Sequence, residues 1–585
     1  MQLSRFYRIV NWIRIKELYI LGFAAVFALF LGIIGFNSTE SNSSLTNIYL
    51  AFQLFTLESG ALKGTIPLSL HIARWLAPAT LAYAAIKAIF TVLNEDLRFL
   101  KLAGFRNHVI ICGMGEKGAI LAQSFLSRGE RVVALDSDRS NENSALLRAA
   151  GVFTIRANAI NADVLRKSRL TRAKYLVAVT GDNFTNIEVL RLAHQIREKD
   201  PSNSMLIGYA HINDLNLKNI IQDTDLIKIT FRNYDARIFN IFENYARLIT
   251  RKYPPDIFFP VRDEKMPPIH VLVLGFDQSG EALVTQLSRI AHYYNGRKLE
   301  LTILTPKPEA SVEFSARFPR ISDLINIHFF HSNITTLDAE TLETIQKQCP
   351  VSLVYFCIED ENQQLKLLAH VRALFGTQDV KMVVNFATFT PVSKTIEEDK
   401  RIFIDDFLTQ ACSAEIVVDE MLDKFARAIH ENFLISARKE YHEKVTEAQR
   451  MNEPAPVRRS SMVEWEELSE EYKDSNRSQA EHIYVKLRAI GCKTCDMDST
   501  EPTYEFTEEE IYKLAQMEHR RWVADRILSG WRLGGERDES LKFNPDLVTW
   551  ERLPQSTKDY DFQAIKNISG LLKLVDLKIC KTKKE

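Results

Sequence analysis

Tyr19 to Phe36 reads YILGFAAVFALFLGIIGF, an apolar run with no charge in it. At ~1.5 Å per residue it makes about 27 Å of helix, close to the hydrocarbon thickness of a bilayer. A cleaved signal peptide is the alternative. It fits less well, because the run exceeds a usual signal core and has no small-x-small cleavage site. A second apolar stretch, Ile66 to Leu93, is interrupted by His71, Arg74 and Lys87. A cation in mid-helix costs ~2.5–3.5 kcal/mol on insertion scales. These three would therefore face a bundle interior, a water-filled path or the interfaces, unless the helix lies on the membrane surface. Between the two stretches, Asn47 to Thr56 (NIYLAFQLFT) is apolar but too short to span, and Leu57-Glu58-Ser59-Gly60 follows it. Two spans around a half-length apolar segment predict a re-entrant loop, since irregular backbone survives at membrane depth only where it lines a cavity. Arg5, Arg8, Arg14 and Lys16 precede the first span, and Arg98, Lys101 and Arg106 follow the second. The segment between carries Glu40 and Glu58 against Lys63. The positive-inside rule then predicts a multi-pass protein of the cell (inner) membrane with both termini cytoplasmic.

Beyond this region the periodicity changes to strand, glycine turn, helix. His108 to Cys112 is a short apolar strand, Gly113-Met-Gly115-Glu-Lys-Gly118 a turn, and Ala119 to Ser127 a helix. Arg131 to Leu135 is a second strand ending in Asp136. Gly113 suits the tight turn, Gly115 lets a phosphate approach the backbone, and Gly118 permits close helix–strand packing. The helix N-terminus offers N–H groups to an anion, and Asp136 stands where a carboxylate accepts ribose hydroxyls. The cycle continues through Val152 to Ile155 and Tyr175 to Thr180, with Gly181, Asp182, Asn183 and Asn186 next. It then restarts at Ile269 to Leu274, Gly275-Phe-Asp277-Gln-Ser-Gly280 and the helix Ala282 to Ile290. Further strands are expected at Leu299 to Leu304 and Val351 to Ile358. In this copy Asp277 replaces the middle glycine and Thr305-Pro306 replaces the acid, so a second Rossmann-like fold is expected without a nucleotide. Asp277 would cap its turn, or serve a cation.

The 585 residues correspond to about four domains at roughly 150 residues each. Lys+Arg 74 against Asp+Glu 75 gives a formal net charge of −1, with no basic excess to drive nucleic-acid binding. Seven scattered cysteines suit a reducing compartment rather than a disulfide framework. Cys492-Lys-Thr-Cys495 is a single CxxC, and a zinc site there would need His482 or His519 to approach; no metal is expected.

These features carry three resemblances. The N-terminal layout resembles the two-helix pore module of tetrameric potassium channels, whose short pore helix leads into a Thr-Val-Gly-Tyr-Gly filter. The matching positions are Thr56, Leu57, Glu58, Ser59 and Gly60; only the threonine and last glycine are shared, so potassium selectivity does not carry over. In a four-fold assembly Glu58 would form a carboxylate ring, or else it is a solvated loop acid. Asn107 to Ile249 resembles the regulator-of-potassium-conductance (RCK), or TrkA-N, domain, through Gly113, Gly115, Gly118, Asp136, Thr180 and Asp182; Asn158 departs from the acid usual after the third strand. This resemblance implies NAD(H) or ATP/ADP as ligand. The C-terminal region holds Leu514-Ala515, His519-Arg520-Arg521-Trp522, Gly530-Trp531, Arg537-Asp538 and Leu547-Val-Thr-Trp550, and four of the six tryptophans. It resembles the ryanodine-receptor repeat (RyR) domain, which implies a small ligand- or partner-sensing module. A second nucleotide-derived ligand would meet His519, Arg520, Trp522, Trp531, Arg537 and Trp550, although tryptophans so spaced also fill small cores.

The expected fold is α/β. A two-helix membrane pore module (1–104; helices about 19–36 and 68–94, loop about 47–62) precedes an RCK/TrkA-N-like Rossmann domain (105–255). A degenerate second copy (265–435), a linker (436–464) and a mainly α RyR-like domain (465–575) follow. The expected function is a ligand-gated, non-enzymatic cation channel, potassium being the candidate monovalent ion. It would be a homotetramer in a membrane, binding a nucleotide and no nucleic acid. The competing readings are a non-conducting membrane-tethered nucleotide sensor and an NAD-dependent oxidoreductase, the latter lacking a placed acid/base pair.

Overall fold

The computed structural model describes residues 2–39, 43–58, 65–138, 142–200, 204–223, 233–332, 334, 337–347, 349–386 and 399–582. Two compact units divide the chain, Met1–Phe105 and Arg106–Glu585.

In the first unit, α1 is Gln2–Thr39, α2 is Ser44–Gln53 and α3 is Leu68–Ala103. Small residues let these helices approach closely. A Cβ on Gly35 would lie 2.6 Å from Leu70 Cβ, and one on Gly32 would lie 3.1 Å from Ala51 Cβ. Ala28, Phe36, Ala51, Leu54, Leu70, Ala73 and Ala77 form the buried cluster at this seam. Small-residue seams of this kind pack helices where no hydrophobic effect is available. The other faces of α1 stay apolar and exposed, with Tyr19 at 76% and Phe23 at 72%. Among the described residues one helical stretch, Tyr19–Thr39, is long and apolar enough to cross a membrane, with a mean hydropathy of 2.4. The second expected span is helical from Leu68 and runs past the expected end to Ala103, with Pro78 inside it. The short segment 47–56 is helical as α2 and a 3-10 turn, Leu54–Thr56.

The second unit is built on two parallel sheets of identical topology. In the first, β1 (His108–Cys112), β2 (Val132–Asp136), β3 (Phe153–Arg156), β4 (Ala173–Ala178), β5 (Leu206–His211) and β6 (Tyr234–Phe239) order as 3-2-1-4-5-6. In the second, β7 (His270–Leu274), β8 (Glu300–Thr305), β9 (Asn326–His331), β10 (Leu353–Phe356), β11 (Lys381–Asn385) and β12 (Ile402–Asp405) order as 9-8-7-10-11-12. Both are doubly wound Rossmann sheets, each with its switch point beside the first strand of the copy. Continuous runs such as HVIIC and HVLVL are buried at every position, as strands covered on both faces must be.

The C-terminal region is mainly helical, with helices Glu470–Ala489, Glu508–Leu528 and Gln555–Lys566. Two short strand pairs accompany them: β13 (Cys492–Asp496) with β16 (Leu577–Lys581), and β14 (Arg532–Leu533) with β15 (Phe543–Asn544). One continuous apolar core runs through both Rossmann copies and this region. Part of the segment expected as a linker (436–464) is helical. Residues 436–451 complete the helix Lys424–Met451, which ends on Asn452 at a left-handed φ of 58°. The charges read there as a linker are the exposed face of that helix, Glu440 pairing with Lys444 at 2.7 Å. Pro454 and Pro456 stop the helix rather than mark the linker's interior.

Burial of charge makes this second unit acid-sensitive. Glu518 lies inside, 2.5 Å from Lys486 and 2.7 Å from Arg521. Burial works to raise its pKa, but Arg521 and Lys486 outweigh that and hold it at about 2, below the ordinary 4.5. A folded value below the unfolded one stabilises above pH about 4.5 and loses that stability as pH falls toward 2. His292 acts in the same direction, because burial lowers it from 6.5 to about 3. Chemical unfolding followed by tryptophan fluorescence should therefore show stability falling steadily from pH about 6.5 to 3. Glu518→Gln should cost about 3–5 kcal/mol near neutral pH, by leaving two cations unpaired inside, and should flatten the acid limb.

Candidate functional site

The site forms where β1 and β4 part at the switch point of the first sheet. Gly113 leaves β1 at φ +102°, and a Cβ on it would lie 2.9 Å from Val179 O. Only glycine holds that left-handed turn against a neighbouring strand end. Gly115 is the N-cap of α4 (Glu116–Ser127). A Cβ there would meet nothing within 4 Å, so the backbone at Gly115 opens onto free space. Gly118 is the opposite case, since its Cβ would fall 2.0 Å from Gly113 O. The turn, the open cradle and the close packing are thus divided among the three glycines as their spacing implies.

Asp136 ends β2 and ties the cradle together. Its carboxylate accepts from Met114 N–H at 2.7 Å and from Asp138 N–H at 2.8 Å. The Asn143 side-chain amide donates to Met114 O at 3.2 Å. On the other side, the Thr180 N–H and hydroxyl both donate to Asn186 Oδ1, at 2.9 and 2.7 Å, and the Asn186 amide donates to His211 O at 2.8 Å. Asp182 caps the helix Asn183–Glu198, accepting from Thr185 N–H at 2.6 Å. Bonds from Thr185 hold the Asp182 carboxyl below its ordinary range. Thr180 and Asp182 therefore shape the loop. The residues that face the cradle are Gly115 and the first turn of α4, with Asp136 beside them.

Sequence reasoning missed Lys117. From the first turn of α4 its ammonium donates to Asn213 Oδ1 at 3.1 Å and sits 4.7 Å over the Phe242 ring. Burial lowers its pKa. The lysine inside the glycine motif was the available signal.

The second copy keeps the frame and closes the cradle. Asp277 caps the helix Gln278–Ile290, accepting from Ser279 N–H at 3.1 Å, Gly280 N–H at 3.3 Å and Ser279 hydroxyl at 2.7 Å. A carboxylate occupies the N–H groups a phosphate would use, which is the capping role anticipated for Asp277. Phe276 packs edge-on to Phe314 and Phe329, at 5.4 and 5.3 Å between centroids, just behind the turn.

The six RyR-region candidates separate into three groups. His519 stacks on Trp522 at 6.0 Å and meets Trp550 at 5.9 Å. One ring nitrogen lies 2.8 Å from Val548 O, the other 3.4 Å from Asp561, and both His519 and Trp550 are buried. Arg520 donates to Tyr293 O at 2.9 Å, on the second Rossmann copy; burial lowers its pKa to about 10. Trp531 donates to Glu471 at 2.5 Å beneath the guanidiniums of Arg526 and Arg537, 5.6 and 5.8 Å from its ring. His519 and Trp550 thus serve the domain core, with half-buried Trp522 stacked on His519, and Arg520 serves an internal seam. Trp531 is buried as well, and Arg537, over its ring, is the exposed member of the pair.

In the first unit, Thr56 hydroxyl donates to Gln53 O at 2.9 Å, Leu57 takes a left-handed φ of 66°, and Glu58 is exposed. Ser59 and Gly60 lie outside the described residues.

Comparison with known families agrees with this geometry. Residues 109–223 match the TrkA-N domain and residues 503–581 the RyR domain. The chain carries a TrkA-N domain and a RyR domain. Potassium channel protein 1 of Methanocaldococcus jannaschii is 28% identical over 96 residues, 16% of this chain and 29% of that protein. Glutathione-regulated potassium-efflux system protein KefC of an Enterobacter species is 28% identical over 133 residues, 21% of each. The chain spans less than a third of the length of either relative. Among solved structures, GsuK bound to ADP is similar at 12% identity and a TM-score of 0.39, over 70% of this chain and 99% of that one.

The glycine geometry separates folding from binding. Gly118→Ala should destabilise the first sheet by about 2–4 kcal/mol, because backbone must move. Gly115→Ala should leave the melting temperature within about 2 °C but abolish the shift produced by NAD(H), ATP or ADP. Thermal unfolding of both variants with and without nucleotide reads the difference.

Proposed function

We propose that the chain is a subunit of a nucleotide-gated cation channel, with potassium the candidate ion. In this reading the TrkA-N domain senses NAD(H) or ATP/ADP, and four subunits surround a pore built from 1–104. The observation that carries it is the open cradle at Gly115, flanked by the Asp136 carboxylate and the first turn of α4. Backbone N–H groups there suit a pyrophosphate, and Asp136, by giving up its bond to Met114 N–H, suits ribose hydroxyls. The TrkA-N match and the partial similarity to a potassium channel protein and a potassium-efflux protein support the transport setting.

The role proposed is sensing rather than catalysis. A ligand shifts an equilibrium only by its differential affinity for two states. In this reading ribose hydroxyls draw the Asp136 carboxylate away from Met114 N–H, and that exchange supplies the difference. Occupancy would free the loop after β1 and change how the two Rossmann copies pack. The chain continues from α3 directly into β1, which makes that segment the connection to the pore. Exposed Glu58, repeated around a four-fold axis, would draw cations to the pore mouth. The exposed Arg537 guanidinium of the RyR domain is the proposed contact for a second, nucleotide-derived ligand, the Trp531 ring beneath it being buried.

Purified full-length chain in planar bilayers, in potassium or sodium solutions, tests this directly. A conductance that responds to added NAD(H), ATP or ADP is expected. Asp136→Ala should raise the nucleotide concentration for half-effect by about tenfold or more, the worth of a lost charge-assisted hydrogen bond. A nucleotide-binding protein that never conducts would instead be a membrane-tethered sensor.

A further inference from the structure

The strand pair β13–β16 does what the CxxC motif alone does not. His482 lies 3.1 Å from His292 O, and His519 is held between Val548 and Asp561, so neither reaches the motif. The C-terminal strand supplies a third cysteine instead. Register pairs Lys493 with Cys580 and Cys495 with Lys578. Directly opposed residues share a face and alternate residues along a strand share it too, so Cys495 and Cys580 are diagonal neighbours on one side. Glu501 comes from the segment that follows β13. The ligand atoms of Cys495, Glu501 and Cys580 all lie within 4.8 Å of one another.

We infer that Cys495, Cys580 and Glu501 form a zinc site that clips β13 to β16, the last strand of the RyR match. A tetrahedral ion with Zn–S of ~2.3 Å holds its sulfurs about 3.8 Å apart, so side-chain rotation by about 1 Å closes the site without moving backbone. Two thiolates and a carboxylate around Zn2+ leave one negative charge. Lys493, 2.9 Å from Glu501, balances it. Cys495 and Glu501 are only partly buried, which leaves the fourth position to water. Binding releases the two thiol protons and needs no oxidant. The ion would close a long chain loop between β13 and β16 and so steady the domain's edge.

Cobalt titration of the reduced full-length chain reads the site, because tetrahedral thiolate-bound Co2+ absorbs in the visible. One equivalent should give that band, zinc should discharge it, and zinc should raise the melting temperature. Cys495→Ser, at a partly exposed position that tolerates a smaller polar group, should remove both effects. Cys580→Ser should do the same, Glu501→Gln should weaken zinc binding by about tenfold or more, and Cys492→Ser should change neither effect. A cobalt band that survives Cys495→Ser and Cys580→Ser overturns the assignment. So does a pair that binds no metal and only forms a disulfide with oxidised glutathione.

Discussion

Arg247 is the constraint on which the second unit turns. It leaves the first Rossmann copy on the helix Ile241–Lys252 and enters a mostly buried polar cavity lined also by Asp423, Arg477 and Glu481. There it donates to Asp423 at 2.7 Å, to Leu422 O at 2.9 Å and to Glu481 at 2.5 Å. Asp423 begins the helix Lys424–Met451, and Glu481 belongs to the helix Glu470–Ala489. Glu481 also accepts from Gln286 of the second copy, and Asp423 accepts from Arg477 at 2.6 Å. Removing any one partner leaves a buried charge uncompensated, at about 3–5 kcal/mol. An apolar seam could slide, but this network has one register, and it binds both Rossmann copies and the helix Glu470–Ala489 to it.

That constraint gives the nucleotide cradle its reach. The loop after β1, held by Asp136, sits at one end of α4. Farther along α4, the Ser124 hydroxyl accepts from Ala414 N–H at 2.9 Å. Arg128, at its C-terminal end, pairs with Asp419 at 3.1 Å. Residues 414–423 connect those contacts to Asp423 itself. A change at the N-terminus of α4 therefore has a covalent and hydrogen-bonded route into the charge network. The second copy, its turn capped by Asp277, joins the C-terminal region through Gln286 with Glu481 and through Tyr293 O with Arg520.

Much of this was legible in the sequence, where a local rule had a single outcome. Gly113, Gly115 and Gly118 could be assigned separate tasks, and Asp136 placed at a strand end, because turn geometry and spacing decide both. The gain of Asp277 in the repeat left two meanings, a turn cap or a cation ligand, and the cap is the one its bonds show. What stayed hidden depended on partners far along the chain. The charges of 436–451 read as a linker because nothing local says that Leu434, Ala437 and Ala448 bury one face of a helix. His519, Arg520 and Trp550 look like ligand groups until Asp561, Tyr293 and Tyr512 are found against them. Cys580 could not be joined to Cys495 before strand register was known.

Hydrogen exchange of the full-length chain with and without ADP or NAD probes the proposed rigidity most directly. Nucleotide should change protection at the turns after β1 and β2, and also in the helices Ile241–Lys252 and Glu470–Ala489. Arg247→Met should confine the change to the turns. Protection that changes only around the cradle in the unaltered chain, with both helices indifferent to the ligand, would contradict a sensor coupled through buried charge.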